Sequence, residues 1–121
     1  AQNDLGNILS QGLGGIQKND VEAARLYKMA SEQGNPYAHA NLAGFYAAGR
    51  GGIFKDDIEA VRLYKIAAEQ GNPGGQAGLA FMYENGRGGL AKDVELAISM
   101  YQKAASQGNT FSENRLSALG R

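Results

Sequence analysis

Apolar residues recur along the chain with the spacing of a single helix face. In the middle stretch Ala38, Leu42, Phe45 and Tyr46 stand at i, i+4, i+7 and i+8, the stripe of an amphipathic helix. Asn35 and Pro36 precede it. Asn is a strong N-cap, and Pro suits the first helical position, where an N–H would have no partner. Gly49 follows at the place of a left-handed C-terminal cap. The pattern predicts a first helix, A, over 36–48. Beyond the loop, Asp56 stands three residues before Glu59, the spacing of a reciprocal capping box. Ala60, Leu63, Tyr64 and Ala67 then mark i, i+3, i+4 and i+7, which predicts a second helix, B, over 57–70. Gly71 ends it, and Asn72-Pro73 opens the same pattern again. No stretch alternates with the period of two that a half-buried strand requires.

The pattern is periodic at a larger scale. "GLGGIQKND" begins at Gly12, "GRGGIFKDD" at Gly49 and "GRGGLAKDV" at Gly86, each 37 residues after the last. The same step relates Tyr27, Tyr64 and Tyr101, and also Leu5, Leu42, Leu79 and Leu116. Repeats are expected over about 1–34, 35–71 and 72–108, with a terminal helix over 109–121, giving seven helices. A lone helical pair leaves apolar faces uncovered, and stacking pairs makes them one continuous core. The expectation is an all-α superhelix, a single solenoid domain of three helix–loop–helix repeats and a terminal helix. Ala23, Ala30, Ala60, Ala67, Ala97 and Ala104 on the stripe of helix B let helices approach closely. The three tyrosines are expected to fill the core beside them. The last helix carries Phe111, Leu116 and Leu119 with no helix B after it. Either the chain is a piece of a longer protein, or its ends pair in end-to-end self-association.

The loop "GRGGIFKD" invites another reading. Glycine-rich loops at helix starts can cradle phosphate. A P-loop, however, needs a preceding strand and a hydroxyl after its lysine, and neither is present. Twelve of the 18 glycines lie on the 37-residue grid, so a turn in every unit explains them and no cofactor is expected.

Composition narrows the function classes. Twelve basic residues balance 12 acidic ones, which argues against a general affinity for nucleic acid or anionic membrane. No apolar run is long enough for a membrane span. The polar start "AQNDLGNILSQG" has no basic n-region, so no signal peptide is expected in it. There is no cysteine, which excludes disulfides and thiol chemistry. His39 is the only histidine, and a metal or catalytic site needs partners that it lacks. Asp56 and Asp57 are neighbours at a helix start and do not converge on one substrate. The serines have no base at a motif spacing. No catalytic or metal-binding residue is expected.

Ala38, Leu42, Tyr46, Gly49, Gly51, Lys55, Asp56, Ala60, Tyr64, Ala67, Ala68, Gln70 and Gly71 together resemble the Sel-one-like repeat, a relative of the tetratricopeptide repeat. The resemblance spans essentially the whole chain. It implies right-handed stacking with A-type helices lining a concave surface, and a non-catalytic role in assembling protein complexes, often as bacterial adaptors. Members with disulfide-linked helices exist, and this sequence departs from them in lacking cysteine. By the tetratricopeptide analogy the groove positions are Tyr37, Asn41 and Gly44, then Gly74, Gly78 and Phe81, then Phe111, Arg115 and Ala118. They differ from copy to copy, so stacking does not dictate them. Tyr37, Phe81 and Phe111 are the candidate anchors for a protein or peptide partner. Asn41, Glu84, Asn85 and Arg115 are the candidate polar contacts. The alternative is a regulatory or saccharide-binding module attached to an enzyme outside this chain.

Overall fold

The computed structural model describes residues 20–50 and 53–121. Within them are six helices and no strand: α1 (Asp20–Glu32), α2 (Pro36–Ala48), α3 (Asp57–Glu69), α4 (Pro73–Asn85), α5 (Val94–Ala105) and α6 (Thr110–Ala118). The first of the seven expected helices lies outside the described residues. Each helix packs on the next, and α2 also packs on α4, its counterpart one repeat later. The molecule is the expected solenoid.

The caps operate as the sequence dictates. Asn35, Asn72 and Asn109 each turn a side-chain oxygen to the backbone N–H three residues on. Asp56 and Asp93 cap α3 and α5 in the same way. Gly49 and Gly86 take left-handed backbone, with φ of 68° and 62°, and close α2 and α4. The capping box at Asp56 is corrected to half a box. Glu59 turns its carboxylate to Arg62 one turn along, and the Asp56 N–H donates instead to the Tyr46 carbonyl at 2.9 Å. An arginine within reach on the same helix face outcompetes a neutral N–H that already has an acceptor.

Packing follows the grid closely. Ala23, Ala60 and Ala97 are fully buried, and so are most of the larger residues around them. One cluster runs through Tyr27, Leu42, Phe45, Leu63, Leu79 and Met82. A second gathers Ala80, Ala97 and Tyr101 under Leu116 and Leu119. Tyr83 and Met100 touch both clusters, so the core is continuous from repeat to repeat. His39 is buried, with Nδ1 donating to the Asn35 carbonyl at 2.9 Å.

The loops hold repeats together. Arg87 extends back to α3 and donates to both oxygens of Asp57, at 2.9 and 2.7 Å, and to the Ala47 carbonyl at 3.0 Å. Arg50 grips Asp20 in the same way, at 3.1 and 2.7 Å. Gly88 lets the loop lie against α3: a Cβ there would fall 2.5 Å from Val61 and 2.6 Å from the Asp57 carbonyl. Loop N–H groups are taken up internally, Arg87 by Met82, Leu90 by Arg87 and Asp93 by Tyr83. The loop turns the chain and clamps one repeat to the one before it.

Candidate partner-binding cleft

The tyrosines at the repeated position of helix B do not share one fate. Tyr27 and Tyr101 are almost wholly buried, as expected. Tyr64 packs against the core but is only half-buried, so it fills the core less completely than expected. Tyr64 and Tyr101 differ in the residues opposite the ring. The Tyr101 hydroxyl donates to Glu84 at 2.7 Å, and Glu84 is held in turn by Arg115. One repeat earlier the places of Glu84 and Arg115 are taken by Ala47 and Gly78. The Tyr64 ring therefore lies across α4 where a side chain would have stood: a Cβ at Gly78 would come within 2.1 Å of it. Its hydroxyl reaches the other flank, 3.6 Å from where a Cβ on Gly44 would be.

Beside it is a cleft of about 360 Å³ lined by Tyr64, Gly74, Ala77, Gly78, Phe81, Asn109 and Phe111. Phe81 and Phe111 meet edge to face with ring centres 6.0 Å apart, and Phe111 lies 6.2 Å from Tyr101. The Arg87 guanidinium stands 5.7 Å from the Phe81 ring, which the quadrupole of the ring favours. Phe111 remains 46% exposed, so the aromatic wall faces solvent at one end. The lining comes from α3, α4, Asn109 and α6, fixed by the packing of each helix on the next.

The ion pair beside the cleft sets the position of α6. Arg115 binds both oxygens of Glu84, and the side chains are 32% and 11% exposed. Burial pushes the Glu84 carboxyl up, but hydrogen bonds from Arg115 and Tyr101 outweigh it and hold the group below its ordinary 4.5. Burial, followed by the neighbouring Glu84 carboxylate, raises the Tyr101 phenol. The network is ionised and complete at neutral pH.

The seven candidate contacts fall into separate places. Phe81 and Phe111 line the one cleft. Glu84 and Arg115 are joined to each other. Asn85 is exposed at the end of α4, donating to the Phe81 carbonyl at 2.9 Å. Tyr37, 59% exposed, and half-buried Asn41 stand on α2, one repeat before Gly74 and Gly78. Sequence reasoning missed Tyr64 as a lining residue. The signal was present: glycine at 44 and 78, and alanine at 47, are small residues opposite a large ring. Among the described residues no group of acidic or histidine side chains could hold a metal ion. No described helix is long and apolar enough to cross a membrane.

Comparison with known proteins gives the family. The profile described as Sel1 repeat matches residues 1–35, 36–72 and 73–109, one residue out of phase with the periods expected above. Among curated proteins, none matches. A solved Sel1 repeat protein from Oxalobacter formigenes is similar, with 43% identity and a TM-score of 0.73 over 97% of this chain and 86% of that one. Another similar structure is c5321, a protective antigen present in uropathogenic Escherichia coli strains displaying an SLR fold, with 36% identity and a TM-score of 0.78 over 95% of this chain. The present chain spans only 24% of its length. Helicobacter pylori cysteine rich protein B shares the fold at 23% identity, with a TM-score of 0.70 over 94% of this chain and 84% of that one. With profile matches in register over residues 1–109, the chain belongs to the Sel1 repeat family.

Proposed function

We propose that this chain is a non-catalytic scaffold that holds a peptide, or an exposed segment of a partner protein, against the face formed by α2, α4 and α6. Sel1 repeats generally mediate protein–protein interaction, which supports the class of partner. The observation that carries the reading is the cleft itself. Phe81 and Phe111 of its wall stand at positions that stacking leaves variable, and Tyr64, packed on the core, also lines it. Large aromatic residues bury much area with few rotors to freeze, which suits them to anchor a partner. Tyr37 on α2 extends the same face by one repeat.

Panning a displayed random-peptide library on the protein tests this. Selected peptides are expected to lose about tenfold or more in affinity for the double variant Tyr37→Ala, Phe81→Ala, with helical circular dichroism unchanged. Peptides that bind parent and double variant equally would place the interaction elsewhere and refute the reading.

A further inference from the structure

Asn85 is the only asparagine in the chain that is followed by glycine. Its counterparts one and two repeats earlier are Ala48 and Gln11, so stacking does not ask for this amide. An Asn-Gly pair carries chemistry of its own. The glycine nitrogen attacks the side-chain carbonyl carbon of the asparagine, and glycine has no side chain to obstruct the approach. A bond from that nitrogen to Cγ forms, the bond from Cγ to Nδ2 breaks, and ammonia leaves. Water then opens the cyclic imide to aspartate, or to isoaspartate, in which the main chain runs through the side-chain carbon. Asn35 and Asn72 are barred from this route, because the proline after each has no N–H.

The fold holds the reacting groups of Asn85 and Gly86 away from each other. Asn85 is the last residue of α4, and its side-chain amide donates back along the helix to the Phe81 carbonyl at 2.9 Å. The Gly86 N–H donates to the Met82 carbonyl. The nitrogen that must lose its proton and turn on Asn85 is thus tied to the preceding turn. Both residues are exposed, so water reaches them and these hydrogen bonds supply the protection. The next N–H, that of Arg87, joins the same Met82 carbonyl at 2.9 Å, and the Arg87 guanidinium is fixed on Asp57. Opening the end of α4 therefore pulls against the Arg87 clamp.

We infer that Asn85 is a masked deamidation site at the joint between the second and third repeats, closed by the end of α4 and guarded by the Arg87–Asp57 clamp. The conversion consumes one water and releases one ammonia. It runs one way. The product carboxylate cannot donate to Phe81, and it places negative charge at a helix C-terminus, where the dipole opposes it. Isoaspartate also lengthens the main chain by one carbon just before Arg87. A modified chain therefore closes the joint less firmly than the original.

Peptide mapping by mass spectrometry, after incubation at mildly alkaline pH, follows the conversion. The reference is a synthetic peptide of residues 81–91, too short to hold the turn. Asn85 should convert at least about tenfold more slowly in the folded protein than in the peptide. Asp57→Ala breaks the clamp and leaves residues 81–91 untouched, and should speed conversion in the protein about fivefold. Arg62→Ala, which breaks the exposed pair on α3, should leave the rate as it was. Helical circular dichroism checks that each variant is folded. Deamidated protein, separated by ion exchange, should unfold at a lower urea midpoint than the parent. Equal rates in protein and peptide, or no conversion in the peptide, overturn the masked site. A rate unmoved by Asp57→Ala, or moved as much by Arg62→Ala, overturns the role of the clamp. An unchanged urea midpoint overturns the loosening of the joint.

Discussion

Removing the Arg87 side chain should loosen the joint between consecutive repeats. The guanidinium makes two charge-assisted hydrogen bonds to Asp57 and one to the Ala47 carbonyl, and the two side chains are only 26% and 24% exposed. Exposed ion pairs contribute about 0–1 kcal/mol, and breaking a fully buried one costs about 3–5 kcal/mol. This pair is three-quarters covered, and its geometry is bidentate. Arg87→Ala is therefore expected to cost about 2 kcal/mol, part of it from leaving the Ala47 carbonyl without its donor. A double-mutant cycle with Asp57→Ala, read by urea unfolding at 222 nm, isolates the pair; its coupling should be about 1–1.5 kcal/mol. The internal control is Arg62–Glu59 on α3, where the arginine is 60% exposed and the coupling should not exceed about 0.5 kcal/mol. Equal couplings for the two pairs would refute the claim that the loop arginine clamps repeats.

Two further outcomes follow from the same geometry. Ser112 is fully buried and its Oγ has no hydrogen-bond partner among the described residues, so Ser112→Ala should stabilise the protein by about 1 kcal/mol, seen as a higher urea midpoint with an unchanged slope. Asp57 is held below its ordinary 3.8 chiefly by its hydrogen bonds to Arg87. Glu84 lies below 4.5, because Arg115 and Tyr101 overcome the effect of burial. Both carboxyls therefore contribute stability that is fully present above their unfolded values and is lost as pH falls through the lower folded ones. Stability measured from pH 6 down to pH 2 should fall less steeply in Asp57→Asn than in the parent, and identical slopes would count against the pairing.

Local signals wrote most of the fold into the sequence. The stripes, the Asn-Pro starts, the aspartate caps and the left-handed glycines act within one turn of the chain, where neighbours are fixed by numbering alone. Repetition made them legible, because a 37-residue period distinguishes what stacking requires from what it leaves variable. Phe81 and Phe111 were found as variable positions in just this way. The half-box at Glu59 was misread because two partners, an N–H and Arg62, lay within local reach and only the packed conformation chose between them. The Arg–Asp clamp joins residues 30 apart, a distance no helical periodicity reports. The paired presence of Arg50 with Asp20 and of Arg87 with Asp57 was its only trace.

The fate of the three tyrosines was decided by tertiary structure alone. Tyr27, Tyr64 and Tyr101 are equivalent in sequence, and each comes from the same face of the same kind of helix. What differs is what stands opposite, on helices from other parts of the chain. Glu84, held by Arg115, receives the Tyr101 hydroxyl, and glycine at 44 and 78 with alanine at 47 leaves Tyr64 room but no hydrogen-bond partner among the described residues. A ring settles where volume is available and where its hydroxyl can be satisfied, and both conditions are set by residues brought near only when the repeats stack. The sequence by itself determined that a solenoid forms and where each helix begins. Contacts between repeats determined that an open aromatic cleft lies where α3, α4 and α6 meet.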